Sequence, residues 1–249
     1  MLLDGKTALI TGAANRLGAQ IARTLHQNGA NLIIHYRQSA ANAMALEQQL
    51  NTLRIDSASC IQADLNVLDS INSMARQAAE LFHGLDILIN NASSFYPTPV
   101  GQISEKDWDD LTASNFKAPL FLSQACYPYL SEAAGVIINM LDIYASLPLN
   151  KHSLYCCAKA ANQMLVKSLA LEMAPEVRVN GIAPGAILWP ENSDATKPDY
   201  KKAVLEKIPL QRIGDPGSIT QAVMFLLGNE YVTGEVIRVD GGRSLHGHF

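Results

Sequence analysis

The chain has 249 residues, 48% of them apolar, which suits one large domain with a full hydrophobic core. A net charge of −4 without any lysine or arginine run excludes an electrostatic footprint for nucleic acid or an anionic membrane. No apolar run approaches the roughly 20 residues of a membrane span, and Met1-Leu2-Leu3-Asp4-Gly5-Lys6 puts an acid and a base where a secretory signal would be apolar, so a cytoplasmic protein with a small-molecule partner is expected.

The first strand is expected over Lys6–Thr11, followed by Thr11-Gly12-Ala13-Ala14-Asn15-Arg16-Leu17-Gly18 and a helix over Leu17–Asn28. A glycine-rich turn between strand and helix lets backbone approach a pyrophosphate and aims helix-start N–H groups at its charge. The second strand, Asn31–Tyr36, ends in His35-Tyr36-Arg37-Gln38-Ser39, with no acid to hold a ribose 2′-hydroxyl. Arg16 and Arg37, with Ser39 donating, instead suit a 2′-phosphate, which favours NADPH over NADH. Leu17, His35 and Tyr36 belong to the same expected cofactor lining.

A helix over Ala40–Leu53 and a strand over Ser57–Gln62 lead to Ala63-Asp64-Leu65, where Asp64 is placed to accept from an adenine amino group beside Leu65. After a helix over Leu68–His83, the strand Asp86–Asn90 runs into Asn90-Asn91-Ala92. An asparagine there serves either the nucleotide or the loop backbone. One long helix is expected over Ser104–Leu130, then a strand over Gly135–Met140.

Asp142 follows that strand, and thirteen residues later comes Tyr155-Cys156-Cys157-Ala158-Lys159 on a helix over Ser153–Ala174. Tyrosine and lysine four apart share a helix face. The ammonium is expected to stabilise the phenolate and lower the Tyr155 pKa. A carboxylate beside them would repel the charge that develops on a ketone oxygen, whereas an imine nitrogen must gain a proton, which a buried carboxyl group can supply. Asp142 therefore argues for reduction of a C=N bond.

A strand over Val177–Ala183 precedes an aperiodic, proline-rich stretch from Gly185 to about Tyr200, read as a lid over the ligand crevice within a substrate-loop insertion at 185–205. A helix over Pro216–Leu227 and a strand over Val236–Val239 complete the alternation, which implies a doubly wound parallel sheet with helices on both faces in a single domain spanning 1–249. Cys60, Cys126, Cys156 and Cys157 lack metal or disulfide spacing and read as reduced thiols. No metal site is expected. The tail Ser244–Phe249 reads as a frayed end, with contact to a neighbouring subunit as the alternative.

Taken in order, the Gly12 turn, Asn91-Ala92, Asn115, Tyr155/Lys159, Pro184-Gly185 and Val239-Asp240-Gly241-Gly242 resemble the short-chain dehydrogenase/reductase family from about Lys6 to Leu245. The resemblance implies a Rossmann-type seven-stranded sheet, a homotetramer, Tyr155 as proton donor, Lys159 on the nicotinamide ribose, and Asn115 supporting a relay water. Ala92, Pro184 and Gly185 come with it as cofactor-binding positions. Three stretches are similar to the pteridine reductase branch: the turn with Arg16 in place of a glycine, Asn90 to Pro97, and Ile138 to Asp142. That branch implies Phe95 stacked on a pterin, Ser93 and Arg16 bonding pterin or cofactor, and Asp142 where relatives carry serine. Gln38 departs from it, standing where better-known members have a basic residue.

The expected activity is NADPH-dependent reduction of 7,8-dihydropterins, with Leu188 and Trp189 near the substituent on carbon 6. Dihydromonapterin, dihydrobiopterin and dihydrofolate stay open as substrates. The alternatives are a 3-oxoacyl thioester reductase of the same fold and a catalytically silent NADP(H)-sensing protein.

Overall fold

Successive strand residues point to opposite faces of a sheet, and here both faces are apolar. In β1 (Thr7–Ile10), Ala8 and Ile10 join one core and Leu9 the other. In β4 (Ile87–Asn90), Ile87 and Ile89 oppose Leu88, and in β5 (Val136–Met140), Val136, Ile138 and Met140 oppose Ile137. Strands covered on both faces read as unbroken apolar runs.

The computed structural model describes residues 2–189 and 198–245. With β2 (Asn31–Tyr36), β3 (Ala58–Gln62), β6 (Arg178–Pro184) and β7 (Val236–Val239), the sheet has seven strands in the order β3-β2-β1-β4-β5-β6-β7. Every pair is parallel. Helices α1 (Arg16–Gln27), α2 (Ala40–Leu53) and α8 (Pro216–Gly228) cover one face through Ile21, Leu25, Leu50 and Val223. Helices α3 (Leu68–Leu81), α5 (Ala118–Glu132) and α6 (Ser153–Glu172) cover the other through Met74, Leu122 and Leu165. This is the expected doubly wound architecture.

The single helix expected over Ser104–Leu130 is instead α4 (Glu105–Thr112), a π-helical turn at Ala113–Lys117, and α5. Two residues explain the widened turn. Asn115 Nδ2 bonds the Leu111 carbonyl at 2.9 Å, and Pro119 has no N–H to offer the Asn115 carbonyl four residues back. That carbonyl accepts from Asn162 Nδ2 on α6 at 2.9 Å.

The second difference lies in the stretch expected to lack structure, where Pro198–Leu205 forms helix α7. Proline at its first position and the helix formers among Lys201-Lys202-Ala203-Val204-Leu205 behind it favour a helix, although none of its residues is buried. The rest of that lid, 190–197, and the tail 246–249 lie outside the described residues. No helix among the described residues is long and apolar enough to cross a membrane.

Buried amides tie the centre of the sheet to α6. Asn90 Nδ2 donates to Asn139 Oδ1 at 2.8 Å, and Asn139 Nδ2 donates to Asn162 Oδ1 at 2.8 Å. All three side chains are buried. Replacing Asn139 by Leu strands the Asn162 oxygen and weakens the hold on Asn90, so a loss of about 2–4 kcal/mol is expected. Urea unfolding measures it, and an unchanged midpoint would show that the amide chain contributes nothing.

Candidate active site

The strand order reverses between β1 and β4, and a doubly wound sheet binds ligands beyond its strand carboxyl ends at such a point. Here the two ends are clasped. Thr11 Oγ1 accepts the Asn91 and Ala92 amides at 2.9 and 3.0 Å, and Asn91 Nδ2 donates to the Thr11 and Gly12 carbonyls at 2.9 and 3.2 Å. Asn91 thus secures backbone with the amide that the sequence offered equally to a nucleotide.

A cavity of about 320 Å³ opens beside the clasp, and Gly12, Arg16, Leu17 and Gly18 from the turn line it. Gly12 has a φ of +63°, and a Cβ there would lie 3.1 Å from Ala92 Cα. A Cβ on Gly18 would run into the Gly12 carbonyl and come within 2.7 Å of Asn91 Nδ2. Arg16 takes a φ of +50°, a glycine-like conformation held by an arginine. These close approaches form a cradle that fits a dinucleotide pyrophosphate. A larger cavity of about 480 Å³ sits at the opposite strand ends near Lys6 and Arg178. It is remote from Tyr155 and on the side where such sheets do not bind ligands.

His35, Arg37, Leu65, Ala92 and Ser93 also line the crevice. Arg37 is half exposed and faces Asp110 of α4 at 3.9 Å, a weak pair that leaves its guanidinium at the cavity's edge. Ser39 caps α2 by position without a side-chain bond, and Tyr36 is buried. Asp64 turns its Oδ1 to the Asn66 amide at 3.0 Å, and Asn66 lines the cavity with Leu65. Asn66 and Ser114 are lining residues that the sequence reading did not name.

Beyond Ser93 lies the titratable cluster. Ser93 Oγ donates to Asn115 Oδ1 at 2.7 Å, while Asn115 Nδ2 is held by the Ser94 and Leu111 carbonyls at 2.9 Å. Tyr155 Oη donates to Asp142 Oδ2 at 2.8 Å, and the Tyr144 amide donates to Asp142 Oδ1 at 2.9 Å. Lys159 Nζ donates to the Met140 carbonyl at 2.8 Å and lies 5.7 Å from the Tyr155 ring.

This geometry corrects one expectation. Burial, and then the Asp142 carboxylate, hold the Tyr155 phenol above its ordinary range, where a lowered value had been expected from Lys159. The hydroxyl points at an anion while the ammonium is turned to a carbonyl. Burial also raises the Asp142 carboxyl against its hydrogen bonds and the Lys159 charge, and burial lowers Lys159 to about 8 against the pull of Asp142. Acid and base are driven toward each other across one buried site, with the phenol held protonated between them.

Phe95 is 55% exposed, stacks on His152 at 4.8 Å and 13°, and presents an edge contact to Tyr155 at 4.8 Å and 75°. His152 was not anticipated. Opposite them, Pro184 ends β6, and the Gly185 amide donates to the Val239 carbonyl at 2.9 Å. Leu188 is partly exposed, and Trp189 lies under Lys201 of α7 at 5.5 Å. Arg243 donates to Tyr144 Oη at 3.0 Å, a second cation near Asp142. The described residues hold no cluster of potential metal ligands.

Known proteins share this frame. A family profile described as Enoyl-(Acyl carrier protein) reductase matches residues 12–244. Pteridine reductase 1 of Leishmania tarentolae is 37% identical, the match covering 96% of each chain. The 3-oxoacyl-(acyl-carrier-protein) reductase FabG of Staphylococcus aureus (strain Mu50) is 32% identical over 95% of this chain and 97% of its own. A solved structure described as a short-chain alcohol dehydrogenase of Sinorhizobium meliloti 1021 superposes with a TM-score of 0.91 at 30% identity, covering 97% of both chains.

The Lys159 value sets a pH dependence. Its ammonium loses its proton as pH rises through about 8 in the free protein, so kcat/KM for hydride transfer should fall on that alkaline side. A Lys159→Arg variant stays charged, and its residual kcat/KM should be level across the same interval. An alkaline limb that persists unchanged in that variant would assign the titration elsewhere. Because the folded value lies below the ordinary 10.5, the unfolded chain holds more protons between the two, and this group's contribution to stability rises with pH from about 8.

Proposed function

Because the chain belongs to the short-chain dehydrogenase/reductase family of NAD(P)H-linked oxidoreductases, we propose that it is an NADPH-dependent pteridine reductase acting on 7,8-dihydropterins. The observation that carries this reading is the 2.8 Å hydrogen bond from Tyr155 to Asp142 beside the half-exposed ring of Phe95. The higher identity to a pteridine reductase, 37% against 32% for the thioester reductase, points the same way.

The crevice lined by Gly12, Arg16, Gly18 and Arg37 would hold NADPH, which would supply the hydride for carbon 6 of the pterin. The chain's own groups do the rest. Phe95, stacked on His152 and in T-shaped contact with Tyr155, keeps half of its ring exposed for contact with a planar heterocycle. Tyr155, held as a phenol, and Asp142, held toward its neutral form by burial, together present a proton to nitrogen 5. Whenever Asp142 is ionised, its charge would repel the negative charge that develops on a ketone oxygen in the same place. Lys159 would hold the nicotinamide ribose, and Ser93 is kept in place by its hydrogen bond to Asn115.

On the adenosine side, Arg16 and Arg37 bind the 2′-phosphate, with Ser39 at the start of α2 completing the corner. The same reading takes the working form to be a homotetramer.

Tyr155→Phe removes the donor and should lower kcat by about 10²–10⁴-fold with little change in dihydropterin binding. Asp142→Ser should raise the ratio of acetoacetyl thioester to dihydropterin turnover at least tenfold. Both are read by NADPH oxidation on dihydromonapterin, dihydrobiopterin, dihydrofolate and the thioester in parallel. Turnover by the unaltered protein on the thioester alone would replace this reading with carbonyl reduction. Arg37→Ala should narrow the preference for NADPH over NADH by about tenfold, and an unchanged ratio would remove Arg37 from the phosphate site.

A further inference from the structure

His35 lies at the end of β2, between the phosphate turn and the end of β3, and it is 2% exposed. Four hydrogen bonds pass through it and its neighbour. The Gly12 amide donates to His35 Nδ1 at 3.1 Å, and the Ala13 amide donates to the His35 carbonyl at 3.0 Å. On the far side, His35 Nε2 meets the Ala63 carbonyl at 3.2 Å, while the Ala63 amide donates to the Tyr36 carbonyl at 3.1 Å. One residue therefore joins the ends of three strands around the crevice.

We propose that His35 is a positioning residue for the cofactor, its ring and its backbone carbonyl together fixing the Gly12 and Ala13 amides so that the turn keeps the shape a pyrophosphate requires. The proposal rests on the cofactor part of the preceding reading and is independent of the substrate.

Hydrogen-bond chemistry settles the tautomer. A backbone N–H can only donate, so Nδ1 accepts from Gly12, and the ring proton sits on Nε2, where it donates to the Ala63 carbonyl. Both nitrogens are thus committed inside the protein, and neither is left for a ligand. A second ring proton would set one N–H against another at Gly12. Burial, assisted by Arg37 and opposed by the Ala63 carbonyl and Asp64, keeps the ring's pKa near 4, so the accepting form prevails at neutral pH.

The turn has little slack in which to lose this support. Gly12 already occupies positive φ, where an added Cβ would lie 3.1 Å from Ala92 Cα, and Gly18 has no room for a side chain. A residue that loosens Gly12 and Ala13 shifts the turn whose helix-start N–H groups would face the pyrophosphate, a part common to NADP⁺ and NAD⁺. Arg16 and Arg37, in contrast, act at a 2′-phosphate that NAD⁺ lacks. The two roles separate in one experiment.

The dissociation constants of NADP⁺ and NAD⁺ are measured by calorimetry on the intact protein, on His35→Leu, and on His35→Asn, whose amide oxygen stands in for Nδ1. His35→Leu should weaken both dinucleotides by the same factor, at least tenfold, and in turnover the loss should fall on KM for the cofactor more than on kcat. His35→Asn should recover most of the affinity. A folded His35→Leu with unaltered affinity overturns the proposal, and so does a loss confined to NADP⁺, which would make His35 a phosphate contact. If His35→Leu fails to fold, His35→Asn is set against His35→Gln, whose longer side chain misplaces the acceptor. Equal affinities for that pair would also overturn it. A failed substrate assignment would leave all these binding results untouched.

Discussion

The clasp between Thr11 and Asn91 holds the two strand ends between which the chain changes direction. Without it, β1 and β4 would still pair, but the loops that leave them would lose the side-chain bonds that tie them together beside the crevice. A parallel sheet creates this need, because its strands all stop at one edge with unpaired backbone groups, and those groups must be satisfied by something. Here side chains do it: Thr11 takes two amides and Asn91 caps two carbonyls. The Gly12 to Gly18 turn can then press against Ala92 and Asn91, leaving a cradle that any added Cβ would fill.

The same demand for satisfied backbone reaches the catalytic cluster by another route. Pro119 leaves the Asn115 carbonyl without a helical donor, Asn162 supplies one, and Asn139 and Asn90 continue the chain into the sheet. Asn115 is consequently held at both ends, by its carbonyl and by its side-chain amide, with its Oδ1 left toward Ser93. The π-turn is the local form that this double attachment takes.

Burial governs the chemistry of the cluster more than charge pairing does. Asp142 and Lys159 are driven toward their uncharged forms by desolvation, against opposite-charge interactions that are weaker in total, while burial and the Asp142 charge together keep Tyr155 protonated. Acid and base, Asp142 and Lys159, are thereby each shifted toward the neutral range from opposite sides. Arg243, anchored on Tyr144 by the C-terminal turn, limits how far the Asp142 carboxyl rises.

The sequence by itself determined the sheet: Val236–Val239 and Asn31–Tyr36 were legible to the residue, because short, β-branched apolar runs bounded by turn residues and alternating with helical patterns admit few other structures. It also marked the Gly12 turn, Asp142, Tyr155 and Lys159, whose types and spacings carry chemistry. Only the tertiary structure decided how they meet. The Tyr155 hydroxyl faces Asp142, Lys159 turns to Met140, and His35, Asn139, Asn162 and His152 become structural partners of the site. The π-turn escaped the sequence because the Asn115 carbonyl finds its partner, Asn162, far along the chain. Periodicity reports which side of an element is apolar. Hydrogen-bond direction and desolvation depend on neighbours brought close by folding, and those no local pattern records.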